Sequence, residues 1–366
     1  MREDFSYFQD HEFISALEAY ERMLDHGAEA DLDPETLTDI AEYYVINHRE
    51  KEAYRCIDYA QSFYPDSVDP QIFLARQQMF TDHQEEAWKI CNQILDQNDR
   101  EVIFLRAELL LRDDKVDEAF KLLLGQYTTM DCEDAADFLY DSISLIMDYD
   151  FNDVAYDWCL RLREEHPDYL SAIPLLAEIF NYNKQYKDAI KILNDNLADL
   201  AYDSQTWRQM AEAQLSLGNL TEAYEATEYM LAINKDDADA LLLRGSVLFD
   251  LDEPEEAHQC YLQFLHFYPQ EARAVYMDAQ CLFVMERFDE AVTQFERLTN
   301  IDDEVFRGYT RSYLAYCHYK LKNRDRMLHY LRLASKERHE CLKELFEGVF
   351  PDINPKDYYQ EALKLE

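Results

Sequence analysis

The chain has 366 residues, enough for one to three ordinary domains or one long repetitive array, and 48% of them are hydrophobic, which argues against wholesale disorder. Asp and Glu number 76 against 35 Lys and Arg, a formal charge of −41 that repels phosphate backbones and anionic lipid and draws basic proteins or peptides inward. Only six glycines and nine prolines punctuate a composition rich in helix formers, so a many-turn β protein is disfavoured.

The opening MREDFSYFQDHEF lacks the apolar stretch of a signal peptide, and no run approaches the ~18 apolar residues of a membrane span. The segment HEFISALEAYERML reads as a helix with Ala16 at a small position, followed by a longer loop through DHGAEADLDPE. From residue 34 a period sets in. Ala53, Ala87, Ala119, Ala155, Ala189, Ala223, Ala257 and Ala291 succeed one another at steps of 34, 32, 36, 34, 34, 34 and 34. Twelve residues before each stands Ala41, Ala75, Ala107, Ile143, Ala177, Ala211, Gly245 and Ala279, so seven of these eight are Ala or Gly. Two small residues per period are what two closely crossing helices need, because side-chain bulk at the crossing keeps the backbones apart.

The apolar spacing around each small residue is helical. In SQTWRQMAEAQLSLGNLTEAYEATEYMLAIN, Trp207, Met210, Ala211 and Leu215 follow one face; after the turn at Gly218, Leu220, Ala223, Tyr224, Thr227 and Met230 follow another. Pro34 and Pro70 open first helices, Pro254 opens a second helix, and Pro65, Pro167 and Pro269 stand where second helices stop. Toward the end the pattern loosens. A two-residue insertion around NIDDEVFRG shifts the last unit, which keeps Ala315 but has Met327 at the second small position. CLKELFEGVF and NPKDYYQEALKLE read as capping helices, broken at Gly348 and Pro351.

These units resemble tetratricopeptide repeats: an aromatic early in helix one, then Leu–Gly or Leu–Ala, then Ala with a larger residue four later in helix two. Trp207, Met210–Ala211 and Ala223 carry the match in one unit; Gly245, Ala257, Tyr261, Phe264 and Pro269 carry it in the next; Ala279, Phe288, Ala291 and Phe295 in the one after. The resemblance covers roughly 300 residues and implies an all-α, right-handed superhelical α-solenoid of about ten helix-turn-helix repeats. Its expected divisions are an atypical N-terminal repeat or cap (1–33), eight repeats (34–307), an atypical last repeat (308–341) and C-terminal capping helices (342–366). It also implies that the first helices line a concave groove that accepts a partner's peptide or helix.

No catalytic constellation emerges. Cys56 and Cys260 occupy equivalent repeat positions, as do Cys91 with Cys159 and Cys281 with Cys317, which marks them as small core residues. Eight cysteines without a CxxC pair fit a reduced, cytoplasmic compartment. The ten histidines show neither HExxH nor zinc spacing and read as surface residues; phosphate loops and GxSxG are missing. No catalytic residue, cofactor or metal is expected, and the chain is read as a non-enzymatic protein-interaction scaffold. The alternative is a peptide-sensing regulator, which would need an output domain such as a DNA-binding segment; repeats starting near Met1 leave no room for one.

Candidate partner-binding residues follow from the groove. One residue after the first small position stand Glu42, Arg76, Glu108, Ser144, Glu178 and Glu212; six before it stand Glu35, Asp69, Glu101, Asp137, Ser171 and Gln205. The acidic members, Glu35, Glu42, Asp69, Glu101, Glu108, Glu178 and Glu212, would attract a Lys/Arg-rich segment. Further along, Tyr276, Tyr309, Tyr313 and Tyr316 beside Arg273 offer stiff aromatic contact area. Clamping of a C-terminal carboxylate, as chaperone-binding relatives do, needs Lys and Asn where Thr38 and Glu42 stand here. Neither nucleic acid nor membrane insertion is expected. Ten bases against five acids between Arg307 and Glu347 make this end locally positive, so self-association with an acidic groove is a second expectation.

Overall fold

The computed structural model describes residues 7–9, 11–26, 32–301, 304–337 and 340–364. Among these residues are twenty-one α-helices and no strand. A lone helix, α1 (His11–His26), precedes eighteen helices that follow one another two by two along the sequence: α2 (Pro34–Ile46) and α3 (Glu50–Phe63), α4 (Asp69–Phe80) and α5 (Gln84–Gln93), α6 (Arg100–Arg112) and α7 (Val116–Tyr127). Then come α8 (Cys132–Asp148) and α9 (Asn152–Glu165), α10 (Ala172–Tyr182) and α11 (Tyr186–Leu200), α12 (Ser204–Ser216) and α13 (Leu220–Ile233). The last three pairs are α14 (Ala238–Asp250) and α15 (Pro254–Phe267), α16 (Ala272–Val284) and α17 (Phe288–Ile301), α18 (Glu304–Lys320) and α19 (Arg324–Glu337), followed by α20 (Glu340–Phe346) and α21 (Tyr358–Ala362).

The chain divides into two compact units, residues 1–219 with 232–235 and residues 220–231 with 236–366. In the first, each helix packs on the next, and first helices also touch the first helix of the following pair: α2 on α4, α4 on α6, α6 on α8 and α10 on α12. In the second, α14 packs on α16 and α16 on α18 in the same way, and α20 and α21 cover α18 and α19. There Leu342, Phe346, Phe350 and Tyr358 bury the apolar faces of the last pair.

Both series of small residues lie where the helices meet. Ala41, Ala75, Ala107, Ala177, Ala211 and Ala279 have no exposed surface, and neither do the eight alanines from Ala53 to Ala291. Gly245 shows how tight the fit is, since a Cβ there would stand 2.7 Å from Cζ of Tyr261. The two irregular steps have local causes. Helix α5 is only ten residues long, which accounts for the step of 32; α8 runs to seventeen, which accounts for the step of 36.

The turn within each pair repeats one backbone design. His48, Asp82, Asp114, Asp150, Lys184, Gly218, Asp252, Glu286 and Lys322 all have positive φ, between 54° and 77°, five residues before the second small position or, in the last pair, before Met327. The following residue donates its N–H to the carbonyl five residues back, as in Arg49 to Tyr44 (2.7 Å), Gln185 to Phe180 (2.7 Å), Asn219 to Gln214 (2.9 Å) and Arg287 to Leu282 (2.9 Å). This Schellman closure satisfies carbonyls that a helix end leaves unpaired and reverses the chain within a few residues. Acidic residues serve the opposite ends: Asp33, Asp99, Asp203 and Asp237 accept backbone N–H bonds in the first turns of α2, α6, α12 and α14.

Three glycines separate these effects. Gly218→Ala should cost about 1 kcal/mol, because its φ of 77° is strained for any L side chain although the space is open. Gly125→Ala, in helix α7 with nothing near its Cβ position, should gain about 0.5–1 kcal/mol. Gly245→Ala should lose about 1–3 kcal/mol by overpacking against Tyr261. Urea-unfolding midpoints of the three variants check the order.

Candidate functional site

Successive first helices of the first unit lie side by side, α4 on α6 and α6 on α8. Between α4, α6 and α8 lies an open cavity of about 460 Å³. Met79 and Phe80 from α4, Phe104 from α6, and Leu145 with Tyr149 at the end of α8 supply its apolar surface. Its charged lining consists of Glu101, Glu108, Asp141 and Asp148 against Arg76 and Arg112. Met79 and Phe104 are buried, whereas Phe80 keeps 51% of its surface exposed.

Arg76 is the hub of this lining. Its Nη2 donates to Oε1 of Glu108 at 2.9 Å and lies 3.7 Å from Oε2 of Glu101, with four-fifths of the side chain covered. Burial opposes its charge, but Glu108, Glu101 and Glu42 hold the guanidinium above its ordinary value. The carboxylates are less well served. Burial raises Glu42 and Glu101 above the usual carboxylate range, and Arg76 offsets this only in part. Burial also raises Asp141, against the opposing bond from Arg100. Arg112 is committed elsewhere, donating to the carbonyl of Met79 and lying 5.9 Å above the Phe80 ring.

The residues expected to bind a partner therefore fall into groups. Glu42, Glu101 and Glu108 converge on Arg76, which turns a presumed acidic row into a cluster around one cation. Glu35 is exposed on α2, and Asp69 accepts a bond from the Ser67 hydroxyl at 2.8 Å. Glu178 is half-buried on α10; Glu212 on α12 pairs with Arg208 at 3.2 Å. In the second unit Arg273 is exposed, but the tyrosines pack largely on one another and on phenylalanines. Tyr276 stacks on Phe306 at 4.7 Å, Tyr313 lies flat on Phe295 at 5.0 Å, and Tyr316 meets Phe283 and Phe346. Gln280 ties Tyr276 to Tyr313 by donating to both hydroxyls, at 2.8 and 3.1 Å. Tyr309 is the most exposed of the four, at 37%.

Phe80, Arg112 and Asp148 escaped the sequence reading although a signal was available. Each stands five residues after the first small position of its repeat, one helical turn beyond Arg76, Glu108 and Ser144 on the same face. The histidine reading needs correction. His258 is buried with its Nδ1 2.5 Å from Oδ1 of Asp278, itself without exposed surface, and His318 is buried against the Tyr330 ring. Burial pushes the His318 imidazole below its ordinary value. All seven described cysteine side chains are free thiols and buried; burial pushes Cys56, Cys159, Cys281, Cys317 and Cys341 up to about 12, which makes them unreactive. Among the described residues no group of three or more His, Cys, Asp or Glu side chains could hold a metal ion, and no helix is long and apolar enough to cross a membrane.

Removing the hub should expose its role. Arg76→Met should cost about 1–3 kcal/mol near pH 7, where Glu42, Glu101 and Glu108 would face one another without the cation they share. Because the folded carboxyls of Glu42 and Glu101 hold protons more tightly than unfolded ones, their contribution is present at low pH and lost as pH rises through the raised values. The deficit of the variant should therefore shrink at about pH 4.5, which urea unfolding at both pH values measures.

Comparison with known proteins finds partial matches. A family model described as anaphase-promoting complex, cyclosome, subunit 3 matches residues 222–298. Anaphase-promoting complex subunit 7 of Dictyostelium discoideum is 21% identical over 144 residues, which is 39% of this chain and only 25% of that protein's length. Among solved structures, PilF of Pseudomonas aeruginosa aligns over 63% of this chain and 98% of its own, with 12% identity and a TM-score of 0.50. YrrB, described as a tetratricopeptide protein with an unusual peptide-binding site, aligns over 57% of this chain and 98% of its own, with 16% identity and a TM-score of 0.44. With a 34-residue period, paired helices closed by one recurring turn and small buried residues at both crossing positions of most pairs, the chain is built of tetratricopeptide-type repeats.

Proposed function

We propose that this chain is a non-enzymatic scaffold that holds a peptide or helix of a partner protein along the surface formed by its first helices. The observation that carries the reading is the open cavity between α4, α6 and α8, lined from repeat-equivalent positions on three successive first helices. Stacked repeats fix such side chains in place before a ligand arrives, so little ordering cost remains on the protein's side. Matches to two subunits of a multi-subunit complex support protein association over catalysis.

Within this reading, Glu35, Asp69, Glu178 and Glu212 extend the first unit's surface on either side of the Arg76 cluster. In the second unit Arg273 and Tyr309 offer the accessible contacts, and Tyr276, Tyr313 and Tyr316 hold that face rigid. Buried free thiols support a reduced, cytoplasmic setting.

Panning a random peptide library on the purified protein, followed by backbone hydrogen exchange with a selected peptide, tests the assignment. Exchange should slow on α4, α6 and α8 and stay unchanged on α5, α7 and α9. Protection confined to second helices, or a library that yields no binder, overturns it.

A further inference from the structure

Resting on that groove reading, we propose that the cavity between α4, α6 and α8 selects an arginine or lysine side chain of the partner, together with an adjoining apolar residue. Four carboxylates line the space against two guanidiniums; Glu101 and Glu108 share Arg76, Asp141 takes a bond from Arg100, and Arg112 donates to the Met79 carbonyl, so acid remains in excess. An anionic ligand would meet the excess carboxylate charge. A purely apolar ligand would strip water from this carboxylate excess and give nothing back.

A cationic side chain on an aliphatic stem satisfies both halves of the lining. Its stem can lie along Met79 and Phe104 while its head reaches Glu101 and Asp148, and the exposed Phe80 ring can take the neighbouring apolar residue. The volume of about 460 Å³ falls within the usual range of ligand pockets and leaves room for more than one side chain. A planar guanidinium can also engage two carboxylate oxygens at once, so arginine should be favoured over lysine. Burial has already raised Glu101 and Asp141 above the usual carboxylate range, so an arriving cation relieves a cost the unliganded fold carries.

The selected peptides read the outcome directly. Sequences that protect α4, α6 and α8 should be enriched in Arg, then Lys, beside an aliphatic or aromatic residue. Replacing that Arg by citrulline, an uncharged isostere, should weaken binding by about tenfold or more, and the difference should narrow at high salt. In the double variant Glu101→Gln/Asp148→Asn, with Glu108 kept to hold Arg76, the preference for Arg over citrulline should vanish while thermal unfolding confirms a folded chain. Phe80→Ala should relax the choice of apolar neighbour and keep the basic preference. Peptides that protect these helices with no basic preference, or a preference that survives in the double variant, overturn cation selection and leave the groove reading standing. Peptides that bind without protecting any first helix overturn both.

Discussion

Everything in this molecule depends on how closely neighbouring helices can approach. A helix pair of this length has too little buried surface to stand alone, so each must bury its face against the next, and the quality of that fit sets the stability of the array. Alanine at two points per repeat removes the bulk that would hold the backbones apart, and the complete burial of both series shows the contact achieved. Gly245 marks the limiting case, where even a methyl group would collide with Tyr261. Larger side chains then fill the space around these crossings, as Leu37, Ile40, Tyr44 and Ile57 do near the N-terminus and Tyr261 and Cys281 do in the second unit.

Charge does several jobs at once. Some carboxylates cap first helices, where the N-terminal backbone amides welcome a negative group. Others gather round Arg76, whose guanidinium lies among three glutamates. Many others are exposed, as Glu85, Glu86, Asp117 and Glu118 are. A count of −41 therefore says little by itself about any one surface; what matters is which acids the fold brings together and what it sets opposite them.

Much of the architecture was legible because the signals are local and repeated. Helical spacing, proline placement and two small residues per period name the helices, and the boundaries of α2, α4 and α15 fall where Pro34, Pro70 and Pro254 suggest. The turns were legible only at Gly218. Eight equivalent positions adopt the same left-handed conformation with Asp, His, Lys or Glu; Asp and His are only enriched there, and Lys and Glu give no signal. The site was half legible. Glu42, Glu101 and Glu108 could be placed on one face by counting, but their convergence on Arg76 depends on how far apart α2, α4 and α6 lie. The tyrosines from Tyr276 to Tyr316 read as a surface; the rings of Tyr276 and Tyr313 fill spaces between α16, α17 and α18, while Tyr309 stays partly exposed. His258 and His318 look the same in the sequence as exposed histidines, since burial is a property of what packs above a residue.

The amino-acid order by itself determined the class of fold, the period and the side of each helix that meets its neighbours, because those follow from spacing along one chain. Tertiary structure decided which side chains of different repeats share a space: the Arg76 cluster, the cavity beside Phe80 and the interlocked tyrosines. Such groupings depend on the distances and rotations between helices well separated in the chain, which many small packing choices fix together and no single stretch of sequence encodes.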